Sequence, residues 1–209
     1  MTVRQHRGDL PDLSRYTDSV AIDTETMGLN PHRDRLCVVQ LSNGDGSADV
    51  VQIPRDHGQG PADAPNLKAL LANHKITKIF HFARFDLAAL YNALGVMPEP
   101  VYCTKIASRL ARTYTDKHGL KDLAREVLGV DLSKQQQSSD WGADELSDAQ
   151  VAYAATDVLH LHALREKLDA MLARENRAEL AAACFRFLPD RVRLDLAGWA
   201  AEDIFSHSA

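Results

Sequence analysis

The sequence contains few cysteines and no long apolar run. Its three cysteines, Cys37, Cys103 and Cys184, lie far apart and form no CxxC pair. An odd number of isolated thiols argues against a disulfide framework and a zinc cluster, and it favours the reducing cytoplasm. No apolar stretch reaches the roughly 18 residues that a membrane span requires, and the polar amino terminus lacks the apolar core of a secretory signal. We therefore expect a cytoplasmic globular domain that does not associate with membranes.

An excess of basic charge is also missing, since the formal net charge is −5. Proteins that grip long nucleic acids are usually basic, because neutralising phosphates supplies most of that affinity. Any nucleic-acid substrate should therefore be short, or should be held by a local basic patch. One candidate patch lies between residues 104 and 125, although the same spacing is typical of a solvated helix face. Its members are Lys105, Arg109, Arg112, Lys117, Lys121 and Arg125.

Strand and helix patterns predict an α/β fold in one domain that covers residues 1–209. Three β-rich runs separated by turn residues predict an antiparallel meander, at residues 18–24, 35–42 and 48–53. The chain then alternates helix, strand and helix, and Gly95 closes the second of these helices. Mostly helical sequence follows to about residue 185, and the tail is expected to form a short strand and a surface segment. This order indicates a mixed sheet with a three-strand meander and flanking helices.

Two carboxylates end the first predicted strand, within the sequence AIDTETMGLN at residues 21–30. Residues i and i+2 of a strand point to the same face, so Asp23 and Glu25 would lie side by side. Two adjacent like charges repel each other unless a cation lies between them. The alternative is an ordinary strand end that enters a turn, with Glu25 solvated.

Two further acids lie where strand and helix packing would bring them near that pair. Asp86 falls in the first turn of a helix that follows a strand, although the helix dipole alone also favours an acid there. Asp157 lies one turn after Tyr153 among apolar helix residues, where an unpartnered carboxylate is unfavourable. The alternative is that Tyr153 and Asp157 are ordinary side chains of that helix with no part in a site. Ser147 and Gln150 form a capping-box pattern that marks the start of the same helix.

Four acids in three segments match the needs of two divalent cations. Mg²⁺ and Mn²⁺ take oxygen ligands, and two such ions about 4 Å apart require several carboxylates. Such a pair activates an attacking water and stabilises the leaving oxygen of a phosphodiester. The residues therefore predict a two-metal site with Asp23, Glu25, Asp86 and Asp157 as ligands.

Three ordered segments resemble the motifs of the DEDD superfamily of 3′–5′ exonucleases. They read DTETMGL, FHFARFD and YAATD, and Tyr153 four residues before Asp157 is typical of the tyrosine subclass. The stretch HGLKDLAREVLGVDLSK is similar to ribonuclease D proteins. The segments GDLPDL, PHRDRLCVVQLSNGDGSADVVQI and LDLAGWAAEDIFSHS resemble the compact alphaproteobacterial nano-RNase C group, and that similarity runs almost from end to end. Where many relatives carry Asn four residues before the acid of the second motif, this chain has Phe82.

The resemblance implies a ribonuclease H-like fold and a metal-dependent exoribonuclease that cleaves very short RNA, above all dinucleotides, to 5′-mononucleotides. It also implies a homo-octameric ring and no accessory helical RNA-binding domain. By resemblance, Asp23, Glu25 and Asp157 bind a first metal ion, Asp23 bridges to a second, and Asp86 holds that second ion. Tyr153 would orient the attacking water, since a tyrosine with a pKa of about 10 is a poor general base.

The candidate substrate contacts are Leu29, Thr26, His81 and Arg84. The resemblance implies that Leu29 wedges between the last two bases, and an ordinary turn leucine is the alternative. His81 stands at a strand end, where a structural histidine is the favoured interpretation. Trp141 is expected to anchor its loop rather than to stack on a base.

Two other functions remain open from the sequence. A broader trimmer of structured RNA or DNA 3′ ends would be favoured by a basic surface channel, and the net charge of −5 does not favour it. A non-catalytic RNA-binding subunit with the same fold is the alternative from another class. Against it, all four acids and Tyr153 are present.

Overall fold

The computed structural model describes residues 2–55, 62–133, 136 and 138–207. These residues form one mixed sheet flanked by helices, which confirms the expected α/β class. The strands are β1 (Thr2–Arg7), β2 (Ser19–Thr26), β3 (Leu36–Ser42), β4 (Ser47–Gln52), β5 (Thr77–Phe80) and β6 (Val101–Cys103). The helices are α1 (Pro65–Ala72), α2 (Ala83–Leu94), α3 (Thr104–Ala111), α4 (Leu120–Leu128), α5 (Asp148–Leu159), α6 (Leu161–Arg174) and α7 (Ala178–Leu194). Over these described residues, no helix combines the length and apolar character that crossing a bilayer requires.

The strand order in the sheet is β1-β4-β3-β2-β5-β6. The predicted meander is confirmed, because β3 pairs antiparallel with both β2 and β4. β5 runs parallel to β2 and to β6, and β1 runs parallel to β4 at the opposite edge. The register between β2 and β3 shifts between Glu25 and Thr26, where β2 ends. The central strand of the sheet therefore ends at the first acidic motif.

Alternate residues of β2 pack into two different helical layers. Ile22 belongs to the apolar cluster that contains buried residues of α1, α2 and the second half of α7. Ala21 belongs to the cluster formed with α3, α5 and α6. Since strand side chains alternate, Asp23 and Glu25 continue the Ala21 face, and Thr24 continues the Ile22 face. The end of β2 thus presents side chains to both layers.

Two parts of the chain differ from the expectation. β1 was not expected because its sequence is polar, yet Arg4 Nε and His6 Nε2 lie 3.0 and 2.9 Å from Asp49 Oδ1 on β4. The expected strand in the tail is wrong, since α7 continues to Leu194 and passes into a π-helical turn at Asp195–Trp199. Buried apolar residues of α7 join the core, so packing favours helix over strand there.

Candidate active site

Three carboxylates converge at the end of β2. Asp23 and Glu25 leave the strand on the face that α5 covers, and Asp157 projects from α5 toward them. One carboxylate oxygen of each residue lies within 4.8 Å of those of the other two. The expected convergence of these three acids is therefore confirmed as geometry, while their roles stay predictions.

The start of α5 determines which of its residues reach the strand end. The Ser147 hydroxyl accepts a hydrogen bond from the backbone N–H of Gln150 at 3.3 Å. Gln150 Oε1 in turn accepts one from the backbone N–H of Ser147 at 2.9 Å. This reciprocal pair confirms the predicted capping box. With the helix started here, Ala154 and Val158 are buried in the core and Asp157 lies beside them at the acidic cluster.

Asp86 approaches the same point from the other helical layer. It lies in the first turn of α2 and is only 2% exposed. Thr24 Oγ1 donates a hydrogen bond of 2.7 Å to Asp86 Oδ1. Asp86 is outside the trio of close oxygens, but its charge raises the pKa of Asp23 and Glu25. Alternation along β2 therefore brings acids from both layers to one strand end.

Burial raises the pKa of all four acids, and neighbouring carboxylates raise those of Asp23 and Glu25 further. Burial is the largest cause of the raised pKa of Asp23, and the charges of Asp86, Asp157 and Glu25 add to it. Burial, followed by the charges of Asp157 and Asp86, raises the pKa of Glu25 to about 8. Burial also raises the pKa of Asp157, against the opposing effect of a hydrogen bond from Tyr153. Without a bound cation, the fully ionised form of the cluster is therefore unfavourable.

The four acids are suited to divalent cations. In the part of the chain that the structure describes, no lysine, arginine or histidine forms an ion pair with any of them. Carboxylate oxygens are the ligands that Mg²⁺ and Mn²⁺ prefer. A cation among them would offset the repulsion that raises the pKa of Asp23 and of Glu25. The donor set thus fits the metal that the sequence predicted.

Tyr153 lies beside the acids on the same helix face. Its hydroxyl hydrogen-bonds to Asp157, and its ring lies 6.1 Å from that of Trp141. Burial, and then the charge of Asp157, raises the pKa of Tyr153 above its usual range. The hydroxyl therefore stays protonated at neutral pH, which suits a hydrogen-bond donor and not a base.

A cavity of about 660 Å³ opens onto the cluster. Asp23, Glu25, Asp157 and Tyr153 line it together with the predicted substrate contact Leu29. Leu29 is 83% exposed, so its side chain contributes little to the core. An apolar side chain is thereby presented to whatever occupies the cavity.

Thr26 and His81 also line the cavity, and each has one side-chain polar atom with a partner in the protein. Thr26 Oγ1 donates to the carbonyl oxygen of Gly28 at 2.6 Å. His81 Nδ1 lies 2.9 Å from Thr104 Oγ1. Burial, with the nearby charge of Lys105, lowers the pKa of His81 to about 3, so the imidazole is neutral. The bond at Nδ1 agrees with a structural histidine, whereas the buried Nε2 has no hydrogen-bond partner among the described residues. Contact with substrate stays a prediction for both residues.

Arg84 is the one predicted substrate contact that does not line the cavity, and its contact with substrate stays a prediction. Its Nε and Nη2 lie 2.5 and 2.7 Å from the two carboxylate oxygens of Asp195, and Nη2 also donates to the carbonyl oxygen of Ala200. The guanidinium thus links the start of α2 to the turn that follows α7.

The candidate basic patch does not form one surface. Lys105 and Lys121 line the cavity. Arg112 is fully buried, where it donates to Ser108 Oγ at 2.8 Å and pairs with Glu126. Lys105 and Lys121 are therefore available to a substrate in the cavity, whereas Arg112 has a structural role.

Several apolar cavity residues were not expected from the sequence, among them Met27, Phe82 and Phe85. Phe82 is 45% exposed and has a left-handed backbone, with φ 67° and ψ 46°. Glycine or asparagine at this position would have indicated a left-handed backbone, and phenylalanine does not. Trp141 is 3% exposed, which agrees with the expected anchoring of its loop.

Residues 10–173 match the family model described as 3′–5′ exonuclease. Because this match covers most of the chain, the protein belongs to the 3′–5′ exonuclease family. Its sheet and flanking helices are the ribonuclease H-like fold of that family, as the resemblance implied.

Within the family, the curated proteins to which this chain is similar include ribonuclease D. Ribonuclease D of Acidiphilium cryptum is 38% identical over 163 residues, which cover 78% of this chain and 40% of that protein. Ribonuclease D of Gluconacetobacter diazotrophicus is 34% identical over 171 residues, which cover 82% of this chain and 42% of that protein. The matched region thus spans about two-fifths of the length of these curated relatives.

Solved structures extend the comparison to the whole chain. Brucella melitensis NrnC with bound Mg²⁺ matches with a TM-score of 0.94 and 61% identity, over 100% of both chains. The same protein bound to pGG matches with a TM-score of 0.94 and 62% identity, again over 100% of both chains. Escherichia coli RNase D, an exoribonuclease involved in structured RNA processing, matches with a TM-score of 0.73 and 27% identity, over 86% of this chain and 46% of that chain.

Proposed function

We propose that this protein is a metal-dependent 3′–5′ exoribonuclease that degrades very short RNA, dinucleotides in particular, to 5′-mononucleotides. The observation that carries the proposal is the trio Asp23, Glu25 and Asp157, whose oxygens lie within 4.8 Å of one another on a cavity wall. Membership of the 3′–5′ exonuclease family and similarity to ribonuclease D support the reaction type.

Two divalent ions, Mg²⁺ or Mn²⁺, are part of this proposal. Asp23, Glu25 and Asp157 would hold one ion, and Asp23 and Asp86 would hold the other. When bound, such ions supply Lewis acidity to the water nucleophile and to the phosphodiester. The Mg²⁺-bound structure of Brucella melitensis NrnC supports Mg²⁺ as one of them.

Tyr153 and Leu29 would position the reacting groups. The hydroxyl of Tyr153 stays protonated and would orient the attacking water by a hydrogen bond. The exposed side chain of Leu29 would separate the last two bases and hold the 3′-terminal nucleotide in place. The water oxygen then bonds to phosphorus while the bond to the 3′ oxygen of the preceding nucleotide breaks, which releases a 5′-mononucleotide.

Three features support a short substrate. The net charge of −5 gives no general attraction to long RNA. The cavity volume of about 660 Å³ falls within the range of roughly 300–1,000 Å³ that is typical of small-ligand pockets. Brucella melitensis NrnC was solved bound to pGG, a 5′-phosphorylated dinucleotide. A trimmer of long RNA would need an extended basic channel in addition to this cavity.

A time course on 5′-end-labelled RNAs, from dinucleotides to heptanucleotides, tests the proposal. We expect dinucleotides to disappear fastest, 5′-mononucleotides to accumulate, and EDTA to stop the reaction. Asp157→Asn should be inactive, whereas Glu166→Gln, an exposed acid on α6, should keep full activity. Dinucleotides that accumulate as final products would contradict the preference for short RNA.

A homo-octameric ring also belongs to the proposal. The exposed apolar residues Phe187, Trp199 and Phe205 lie on α7 and the segment that follows it, and Phe187 and Phe205 contact each other. Exposed aromatic groups of this kind are typical of interaction surfaces. Light scattering should give eight times the 23.1 kDa chain mass, and a monomer mass would contradict the ring.

A further inference from the structure

We propose that Phe82 is the surface on which one nucleobase of the substrate stacks, and that it thereby sets which dinucleotides the cavity prefers. The inference rests on the function proposed above, because it concerns how the same cavity recognises its substrate. The backbone of Phe82, its exposure, its place in the cavity and its contact with Lys105 carry the argument.

The backbone of Phe82 is in a conformation that phenylalanine rarely adopts. Its φ of 67° and ψ of 46° lie in the left-handed region, just before the first residue of α2. Among the described non-glycine residues, only Asn176 shares a positive φ, and asparagine is the type that tolerates it best. A bulky residue held in this region is strained, and such strain is concentrated at ligand sites. Stability alone would favour glycine at this position.

The ring of Phe82 does not compensate for this strain by packing in the core. It is 45% exposed and lines the cavity, in contrast to Phe80, two residues earlier, which is fully buried. An exposed aromatic ring gains little from burial in the folded chain alone. A bound ligand that covers the ring would supply the missing apolar contact.

Lys105 holds the ring from within the cavity. Its Nζ lies 4.2 Å from the centroid of the Phe82 ring, and Lys105 also lines the cavity. A cation over an aromatic face is attracted by the ring quadrupole, which favours one ring orientation. The aromatic surface is therefore prepared before a ligand arrives, and preorganisation of this kind improves affinity.

A nucleobase is the ligand whose chemistry fits this surface. Every base has a π face, and stacking on an aromatic side chain is favourable for all of them. Phe85 and the exposed Leu29 add apolar contacts in the same cavity. Because purines offer the larger stacking face, we expect a purine to be preferred at the stacked position.

The test compares wild type with Phe82→Leu, Phe82→Tyr and the control Tyr91→Leu. Tyr91 lies on α2, is 38% exposed and is absent from the cavity wall. The substrates are pGG and two analogues, each of which lacks one of the two bases. For each pair, KM and kcat are measured in Mg²⁺, and the Kd is measured by calorimetry in Ca²⁺.

We expect Phe82→Leu to raise the KM and Kd for pGG by roughly 5- to 150-fold, the range that loss of one base stack gives. Phe82→Tyr should keep both values near wild type, since its ring is retained, and Tyr91→Leu should not change them. The effect of Phe82→Leu should vanish with the analogue that lacks the stacked base and persist with the other. Unchanged values for pGG, or equal losses with both analogues, would overturn the inference.

Two further results separate this inference from the proposed function. Wild type that binds pGG without cleaving it would contradict the exoribonuclease, while the Kd of Phe82→Leu would still test stacking. Wild type that neither binds nor cleaves pGG would contradict both. Phe82→Gly should lose affinity as Phe82→Leu does but melt at a higher temperature than Phe82→Leu, because glycine accepts a positive φ without strain. A lower melting temperature for Phe82→Gly than for Phe82→Leu would show that an apolar side chain at position 82 stabilises the fold, which would contradict the strain argument.

Discussion

Glu25→Gln should stabilise the protein when no divalent cation is present, although it should abolish activity. In the metal-free cluster, burial and the charges of Asp157 and Asp86 raise the pKa of Glu25 from 4.5 to about 8. Folding therefore opposes the ionisation of this carboxylate, and a neutral glutamine of similar shape removes that opposition. The same substitution removes a ligand of the proposed metal site, so stability and activity should move in opposite directions.

The size and pH dependence of this gain follow from the two pKa values. Between pH 4.5 and about 8, the unfolded chain carries an ionised Glu25 and the folded chain keeps it protonated. The folded state binds the extra proton, so the contribution of Glu25 to stability falls as pH rises through this window. The loss has an upper limit of about 5 kcal/mol. Even about 2 kcal/mol would raise the Tm of the variant at pH 8 by about 4–8 °C.

Thermal melts followed by circular dichroism in EDTA, at several pH values between 5 and 8, measure this effect. The difference between variant and wild type isolates Glu25 from other titrating groups such as His81, and it should grow as pH rises. Glu166→Gln, an exposed acid on α6, should show no such growth. Added Mg²⁺ should raise the Tm of wild type and leave that of Glu25→Gln almost unchanged. A variant that is less stable than wild type at pH 8 in EDTA would refute the reasoning.

Three further predictions concern the surroundings of the cluster. Tyr153→Phe should lower kcat by about tenfold or more, because it removes one catalytic hydrogen bond. Calorimetry should find that the variant still binds Mg²⁺. Loss of Mg²⁺ binding equal to that of Asp157→Ala would contradict a positioning role. Thr24→Val removes the 2.7 Å hydrogen bond to Asp86 and should therefore raise the pKa of that acid. In a pH titration, Mg²⁺ binding should then move to higher pH. An unchanged pH profile would argue that the bond is unimportant. Ser147→Ala removes the cap of α5 and should cost about 1 kcal/mol, seen as a Tm lower by about 2–4 °C, and an unchanged Tm would contradict that contribution.

Local signals in the sequence were sufficient for the elements that carry the acids. The capping box at Ser147 involves residues three positions apart, and Gly95 ends α2 with a φ of 72° that glycine accepts freely. The alternation of β2 depends only on neighbouring residues. Each of these features is formed by a short piece of chain, so a pattern of residue types is enough to predict it.

Long-range partners explain what the sequence did not reveal. Arg84 pairs with Asp195, which lies 111 positions away, and no local pattern distinguishes this structural pair from a substrate contact. β1 is polar and joins the sheet edge partly through contacts of Arg4 and His6 with Asp49, more than 40 positions along the chain. Such contacts depend on how distant segments pack, and one sequence does not encode them in any short motif.

The position of the acids at the end of a central strand explains why distant segments reach one point. A residue on one face of β2 meets only the layer with α5, and its neighbour meets only the layer with α2. Where the strand ends, the sheet no longer separates the two layers, and Asp86 comes near enough to Asp23 to raise its pKa. Lengthening β2 by continued pairing would place backbone between these acids and keep the layers apart. β2 pairs with β3 as far as Thr26, with a register shift after Glu25, so the sheet ends directly beside the carboxylates that it positions.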